Sequence, residues 1–245
     1  MLDNIWDSHM ITINNNIAPG PNWGGDTFLN PSYFAPAWYK IFKLVDKSNH
    51  NWDLVIDNCY NSINKNPGYA LGLIPDWMTP EGNYFEGNLG YNTYGNGKYL
   101  FKDAIRIFWR IGTDYLWFNE SRAKTFLENA YSFIESKNGP AGCNFYQMTG
   151  ELVPENDKWD FANNNRQRPR REHSHLTIGM WSIVPYVLNK SNINDYKDEL
   201  LKFYNGNTYW GLLTGPETIY NNEMYFDQFL ALFGAIVLNG LWAYN

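Results

Sequence analysis

The sequence predicts an all-α fold in which inner and outer helices alternate, as they do in an α/α toroid. Helical hydrophobic patterns recur along the 245 residues, separated by loops rich in Gly, Asn and Pro. The patterns alternate between helices that are apolar on nearly every side and helices that carry one charged face. No convincing β-alternation appears outside the loops at 140–165 and 206–220. These three observations together indicate two concentric layers of helices.

The elements follow from this alternation in chain order. The expected inner helices, buried on most faces, span residues 30–46, 98–118, 171–189 and 221–242. The expected outer helices, with charged faces, span residues 51–66, 120–137 and 192–205. Asn30 is a candidate N-cap and Pro31 suits the first helical position. A closed toroid of six helix pairs needs twelve helices and about seven are found, so we expect one domain over residues 1–245 that forms an incomplete ring.

Composition and charge exclude several classes of function. The formal net charge of −6 argues against nucleic acid as the main partner, because phosphate binding needs a basic surface. The one basic cluster, "RQRPRR" at 166–171, is short and is expected to be a solvated loop or a dock for an acidic partner. No apolar run approaches the roughly 20 residues of a membrane span, so no membrane partner is expected.

We expect neither a cofactor nor a metal ion. Cys59 and Cys143 are too few for a zinc site or a disulfide framework, and each is expected to be buried. His173 and His175 lack the i, i+4 spacing of a helical zinc pair and are expected at a solvated helix start, with a cation site beside Glu172 as the alternative. The first residues do not resemble a secretory signal. Either the protein stays inside the cell or the chain lacks its natural beginning, so localisation stays open.

Aromatic residues make up 18% of the chain, with 11 Trp and 18 Tyr. Aromatic rings stack on the C–H faces of sugars, and their polar groups can bind hydroxyls. This composition is therefore typical of a protein that handles sugars, although a large aromatic core is the alternative. The loop "GYNTYGNGK" at 90–98 suits a sugar-facing surface better than a phosphate cradle.

Four charges lie on one stripe of the expected helix 98–118. Asp103, Arg106, Arg110 and Asp114 are separated by three, four and four residues, which places them on one helix face. In one interpretation, Asp103–Arg106 and Arg110–Asp114 are surface ion pairs worth a few tenths of a kcal/mol each. In the other, the stripe lines a cleft in which an arginine holds an ionised aspartate that acts as a base.

Several motifs resemble glycoside hydrolase family 8. These are "NPSYFAPAWYKIF", "PDWMTPEGN", "KDAIR" and "YFDQFLALFGAIVLNGLW", in that order, and the resemblance covers residues from about 20 to 242. The family comprises inverting β-1,4-glycanases, among them cellulases, xylanases and chitosanases. The resemblance implies an (α/α)6 toroid of the six-hairpin glycosidase type, a polysaccharide substrate and usually secretion.

The resemblance also implies roles for individual residues. Asp103 matches the general base that activates water, and Arg106 would hold its carboxylate in place. Tyr33 of "NPSY" is expected beside the catalytic water. Trp23 matches a tryptophan that stacks on a sugar ring, although a surface plug is an equal alternative. Tyr225 resembles tyrosines near the leaving-side subsites or is a core residue.

Trp77 of "PDW" is a further candidate sugar contact, with core anchoring the alternative.

Some features of the sequence depart from the family pattern. The family's general acid lies in an "SEG"-like motif, which this sequence does not contain, and the "DxD" motif of a sugar-binding aspartate is missing as well. Lys102 occupies a position that is often aromatic, which puts sugar contacts near the base in doubt. The sequence therefore resembles the C-terminal two-thirds of such an enzyme.

Three hypotheses follow. A complementing N-terminal chain or segment supplies the acid, and the assembly is an active glycanase. Alternatively, the chain is a catalytically inactive carbohydrate-binding module. In the third hypothesis it is a helical interaction protein. In all three, uncovered apolar surface predicts association, for example as a homo-oligomer.

Overall fold

The computed structural model describes residues 2–21, 23–85, 97–161, 166–169, 171–204, 206, 210 and 225–243, and at 159–161 and 166–169 it describes the backbone. The α-helices of this part of the chain are α1 (Leu2–Asp7), α2 (Pro36–Val45), α3 (Trp52–Lys65), α4 (Ile107–Phe118), α5 (Ser121–Ser136), α6 (His175–Trp181), α7 (Ile183–Val187), α8 (Ile193–Leu201) and α9 (Tyr225–Leu238). Short 3-10 turns form at Pro31–Tyr33, Tyr69–Leu71, Ala104–Arg106 and Gly139–Gly142. Residues 90–96 of the expected sugar-facing loop, 221–224 of the last expected helix and most of 206–220 lie outside the described residues.

The helices form two layers, which confirms the all-α prediction. Within the inner layer, α2 packs on α4, α4 on α7, and α9 on both α6 and α7. Each expected outer helix packs on an inner one: α3 on α2, α5 on α4 and α8 on α6. The described chain is therefore an arc of a helical toroid, with alternate helices inside and outside.

The first inner segment is divided, so the prediction of one helix over 30–46 was wrong. A 3-10 turn at Pro31–Tyr33 precedes α2, and the Oδ1 atom of Asn30 accepts a hydrogen bond from the Ser32 N–H at 3.0 Å. Pro36 disfavours helical backbone at the residue before it, so α2 begins at Pro36 itself. Asn30 nevertheless acts as an N-cap, here of the 3-10 turn, as its residue type predicted.

The prediction of one helix over 98–118 was also wrong, because α4 begins only at Ile107. Strand β1 (Tyr99–Leu100) pairs antiparallel with β2 (Tyr146–Gln147). The fully buried Asp76 carboxylate then accepts hydrogen bonds from the N–H groups of Phe101, at 3.3 Å, and Ala104, at 2.7 Å. The backbone N–H groups of Phe101 and Ala104 therefore bond to a side chain rather than to helical carbonyls. A turn forms where the hydrophobic pattern predicted a helix.

The segment expected as one helix over 171–189 is divided into α6 and α7. It begins only at His175, where the Ser174 N–H donates to Thr177 Oγ1 at 2.9 Å. A second antiparallel hairpin joins β3 (Lys158–Phe161) to β4 (Arg166–Pro169). The basic cluster at 166–171 was expected to be a loop, so its strand backbone over 166–169 corrects that prediction.

Aromatic rings fill the space between the inner helices. Trp109 of α4 stacks on Phe233 of α9 with 4.5 Å between ring centroids, and Trp117 stacks on Trp242 at 5.9 Å. The Trp38 ring lies 5.7 Å from Trp109. A large aromatic core therefore accounts for part of the unusual composition.

Most residues of helix α9 are buried or partly buried, as expected for an inner helix, and one strip of the helix is uncovered. Tyr225, Phe229 and Leu232 lie on one helical face and are 76%, 53% and 44% exposed. None of the described helices combines the length and the apolarity that a membrane span requires.

Candidate active site

Asp103 lies in the turn that precedes α4, at the start of the 3-10 segment Ala104–Arg106. The Asp76 carboxylate holds this turn through backbone N–H groups on both sides of Asp103. The Asp103 side chain is 27% exposed. The carboxylate is thus fixed by its backbone and still open to solvent on one side.

A closed ring of hydrogen bonds orients the Asp103 carboxylate. Arg106 Nη2 donates to Asp103 Oδ1 at 2.5 Å and to Ser32 Oγ at 2.7 Å. Ser32 Oγ donates to Asn30 Oδ1 at 2.5 Å, and Asn30 Nδ2 donates to Asp103 Oδ2 at 3.2 Å. Each carboxylate oxygen has a second acceptor position, so the group can still bind the proton of a water molecule.

Two aromatic rings flank Arg106. Its guanidinium carbon lies 5.7 Å from the centre of the Tyr33 ring and 5.5 Å from that of Phe226. The structure therefore brings together Asp103, Arg106 and Tyr33, the three residues to which the resemblance gave catalytic roles. Phe226 was missed in favour of its neighbour Tyr225, whose described ring contact is Phe229 at 6.4 Å. Because Tyr225 is mostly exposed, the alternative that it is a core residue was wrong.

The other two charges of the stripe, Arg110 and Asp114, do not pair with each other. Arg110 Nε donates to the Ser32 carbonyl at 3.2 Å, and its guanidinium lies 4.2 Å from the Trp109 ring centre. Burial lowers the pKa of Arg110 to about 10. The Asp114 carboxylate instead accepts from Lys40 at 2.7 Å and from the Tyr60 hydroxyl at 2.5 Å. The expected surface ion pair Arg110–Asp114 was therefore wrong.

Trp23 and Trp77 lie together in a second aromatic cluster. Their ring centroids are 5.3 Å apart, and Trp23 also contacts Phe28 at 5.5 Å. Trp77 is buried, which favours its core-anchoring alternative, whereas Trp23 is only partly buried. Residues 76 and 77 connect this cluster to the Asp103 turn, because Asp76 holds that turn.

Lys102 is nearly fully buried beside the candidate base. Its Nζ atom lies 2.9 Å from both carboxylate oxygens of Asp227 and 3.8 Å from Glu172 Oε2. The side chain therefore ties the Asp103 turn to α9. The sequence offered no signal for this pair, because its members are separated by 125 residues.

The described residues contain one group with the spacing of metal ligands, formed by Asp3, Asp46 and His50. His50 Nδ1 lies 2.8 Å from Asp46 Oδ2, its Nε2 lies 3.9 Å from Asp3 Oδ1, and its ring stacks on Trp6. This group connects α1 to the end of α2 and is separate from the Asp103 cluster. Burial alone would raise the pKa of Asp46, but hydrogen bonds from Ser48, Trp52 and His50 lower it to about 2.

The cysteines and the "REHSH" histidines are structural. Cys59 and Cys143 are buried as expected, and burial raises the pKa of each thiol. His173 lies 2.8 Å from the Cys143 carbonyl and 3.2 Å from Glu199, and His175 is buried. The expectation of a solvated helix start was therefore wrong for His175, whereas His173 is 29% exposed.

The arc of a helical toroid and the oriented Asp103 carboxylate agree with the family that the sequence motifs resemble. The chain belongs to glycosyl hydrolases family 8, whose family model matches residues 4–146.

Among curated relatives, Endoglucanase 2 of Ruminiclostridium josui is 36% identical over 146 residues, which cover 60% of this chain and 30% of the relative. Endoglucanase A of Acetivibrio thermocellus is 33% identical over 148 residues, covering 59% of this chain and 29% of the relative. The Beta-glucanase of Niallia circulans is 26% identical over 233 residues, covering 90% and 49%. The chain thus matches at most about half the length of these relatives.

Solved structures agree in fold. The β-1,3-1,4-glucanase of Paenibacillus sp. X4 superposes with a TM-score of 0.70 at 20% identity, over 99% of this chain and 59% of that one. A double mutant of Rex8A from Paenibacillus barcinonensis superposes with a TM-score of 0.66 at 17% identity, over 95% of this chain and 53% of that one. The described helices therefore form part of an (α/α)6 toroid.

Proposed function

We propose that this chain is the base-bearing part of a glycanase that hydrolyses β-1,4-linked polysaccharide with inversion. The observation that carries the proposal is the Asp103 carboxylate, oriented by Arg106 and Asn30 and partly open to solvent. Family membership supports the reaction class, and relatives named endoglucanase and beta-glucanase support a glucan substrate.

In the proposed mechanism, Asp103 removes a proton from water. The water attacks the anomeric carbon on the face opposite the leaving oxygen, and a second carboxyl group protonates that oxygen. In inverting enzymes the two carboxyl groups are about 6.5–9.5 Å apart, which leaves room for the water. Because the acid motif is not among these 245 residues, an upstream segment or a complementing chain is proposed to supply it. No step requires a metal or a cofactor.

Aromatic side chains are proposed to bind the polysaccharide. Tyr33 lies over Arg106 and is 39% exposed, so it can contact the sugar or the water beside Asp103. The partly buried Trp23 and the exposed Tyr225 are proposed as stacking surfaces. Trp77, which is buried beneath Trp23, is proposed to support that ring rather than to touch sugar.

The test measures reducing-sugar release from β-glucan and xylan, with and without the polypeptide encoded upstream. We expect Asp103→Asn to lower kcat of the assembled enzyme about 10²- to 10⁴-fold, because a neutral amide cannot accept the proton. The first product observed by ¹H NMR should be the α-anomer, since inversion of a β-linkage reverses the anomeric centre.

The control variant is Asp53→Asn. Asp53 is an exposed aspartate that pairs with Lys43 at 2.6 Å, outside the candidate site. It should leave kcat and the unfolding temperature unchanged. Undiminished hydrolysis by Asp103→Asn, or a β-anomer as first product, would refute the assignment.

A second candidate function is helical association, which the exposed face of α9 favours. Tyr225, Phe229 and Leu232 form an apolar strip on that face. A complementing chain or a second copy of this chain is proposed to cover it. The two functions are compatible, because a covering chain could also bring the general acid.

A further inference from the structure

The structure holds a polar cavity on its outer helical layer, away from the Asp103 cluster. The cavity has a volume of about 220 Å³ and is lined by Tyr60, Asn61, Asn64, Tyr69, Ser121, Arg122 and Thr125. Its walls come from α3 and α5, with Tyr69 in the turn that follows α3. It shares no residue with the candidate active site.

Three polar groups of the cavity are available to a ligand. The side-chain amides of Asn61 and Asn64 and the hydroxyl of Tyr69 have no hydrogen-bond partner among the described residues. The two asparagines are three positions apart on α3, so their Cβ atoms are separated by roughly 5–6 Å on one face. Each amide offers one acceptor and two donor hydrogens, a combination that matches a pair of neighbouring hydroxyl groups.

Arg122 is the one cation among the described residues that line the cavity, and two carboxylates neutralise it. Arg122 Nε lies 2.9 Å from Glu120 Oε1, and its Nη1 lies 2.6 Å from Asp57 Oδ1. Its guanidinium covers the Tyr60 ring at 4.4 Å from the centroid. Because this charge is matched by two carboxylates, the cavity does not favour an anion such as phosphate. A neutral polyhydroxylated ligand fits the lining better.

Aromatic surface is available as well. Tyr69 is partly buried, and its ring packs at 6.2 Å from Phe126, which holds it in place. Rigid tyrosine rings combined with amide and hydroxyl groups suit the C–H faces and hydroxyls of a sugar.

We propose that this cavity, here called the α3–α5 pocket, binds a neutral sugar unit of a glucan chain at a second site outside the cleft. The identity of the sugar as a β-linked glucan rests on the proposed function; the neutral, hydroxyl-rich class of ligand rests on the pocket. Such a site would anchor polysaccharide on the outer wall of the toroid and raise its concentration near the cleft.

The test is an NMR titration of the chain with cellotetraose. The side-chain amide signals of Asn61 and Asn64 report on the pocket, and the indole N–H signals of Trp23 and Trp77 report on the cleft. Signals are assigned from their loss in Asn61→Ser, Asn64→Ser, Trp23→Phe and Trp77→Phe. We expect saturable shifts of both asparagine signals, and at least about tenfold weaker binding at the pocket in Asn61→Ala/Asn64→Ala.

The variant should remain folded, because alanine has a higher helix propensity than asparagine and neither amide has a hydrogen-bond partner in the part of the chain that the structure describes. Asn194→Ala, an exposed asparagine on α8, is the matched control and should leave the titration unchanged.

The outcomes separate the two proposals. Shifts of the indole signals with static asparagine signals would overturn the pocket and leave the cleft proposal standing. Shifts of the asparagine signals alone would support the pocket and count against sugar binding in the cleft. Static signals at both positions would overturn both, and a response to inorganic phosphate but not to cellotetraose would overturn the neutral-sugar assignment.

Discussion

At the scale of single residues, the role of each charged side chain depends on its burial and on the residues that it contacts in the folded chain. Asp103 and Asp114 share one stripe of the sequence, but the first is partly open and the second is fully buried. Lys40 compensates Asp114 from a neighbouring helix at 2.7 Å, and Tyr60 donates to it. Burial nevertheless raises the pKa of Asp114, while these hydrogen bonds oppose the shift.

Lys40→Met is expected to lower the free energy of unfolding by about 3–5 kcal/mol at pH 7, because it leaves a buried carboxylate without its cation. Since the raised pKa makes the folded state bind a proton more readily than the unfolded state, the deficit should shrink as the pH falls from 7 toward 4. Urea unfolding at a series of pH values measures this trend.

Lys43→Met is the matched control on the same helix. Lys43 pairs with Asp53 at 2.6 Å, but both side chains are more than half exposed, so its loss should cost less than about 1 kcal/mol. Adding Asp114→Asn to Lys40→Met should restore part of the lost stability. A pH-independent deficit in Lys40→Met would contradict the assigned role of Asp114.

At the scale of elements, the contact between α6 and α9 depends on two glycines. A Cβ atom on Gly234 would lie 2.3 Å from the Gly179 carbonyl oxygen and 2.6 Å from its Cα. The two helix backbones therefore touch directly. This contact, together with the Lys102–Asp227 pair, fixes the last helix against the turn that carries Asp103.

Gly234→Ala should destabilise the protein by about 1–3 kcal/mol, because backbone atoms cannot move aside as a side chain can. Gly112→Ala is the comparison, since its Cβ would meet side chains rather than backbone, those of Ile183 at 3.0 Å and Val187 at 3.7 Å. Both substitutions gain about 1 kcal/mol of helix propensity. The difference between their unfolding free energies therefore reports on the contact between α6 and α9. Equal unfolding midpoints in urea for the two variants would show that the contact is not tight.

At the scale of the whole molecule, the last described inner helix, α9, has one uncovered strip. The exposed strip of Tyr225, Phe229 and Leu232 is continuous on α9, and contiguous apolar surface of this kind favours association. The chain matches at most about half the length of the curated relatives described above.

The purified chain is expected to associate at tens of micromolar, and Leu232→Glu should shift it toward monomer because a carboxylate cannot be buried in an apolar contact. Sedimentation velocity measures the change. Leu201→Glu, which alters an exposed leucine on α8, should leave the distribution as it was. A monomeric wild-type chain at these concentrations would refute the association.

The sequence predicted the helical layers well, because a buried helix face needs apolar residues at a fixed period. It located α3, α5 and α8 closely, and the motif resemblance identified the Asp103–Arg106 pair. At residues 98–106 and 30–35, two of the places where the prediction failed, hydrogen bonds to a residue outside the segment or a proline compete with the helix. Asn30, Ser32, Asp76 and Phe226 were not predicted as site residues, because nothing in the local sequence marks a contact across 25 or more positions.

The sequence by itself thus determined the class of fold, the family and the identity of the candidate base, since these depend on periodicity and on short motifs. Only the tertiary structure decided which charge faces solvent, which cation compensates Asp114, and which side of α9 stays uncovered. The physical reason is that burial and pairing are properties of the packed chain. A charged residue has the same local pattern whether its partner lies one turn away or on another helix.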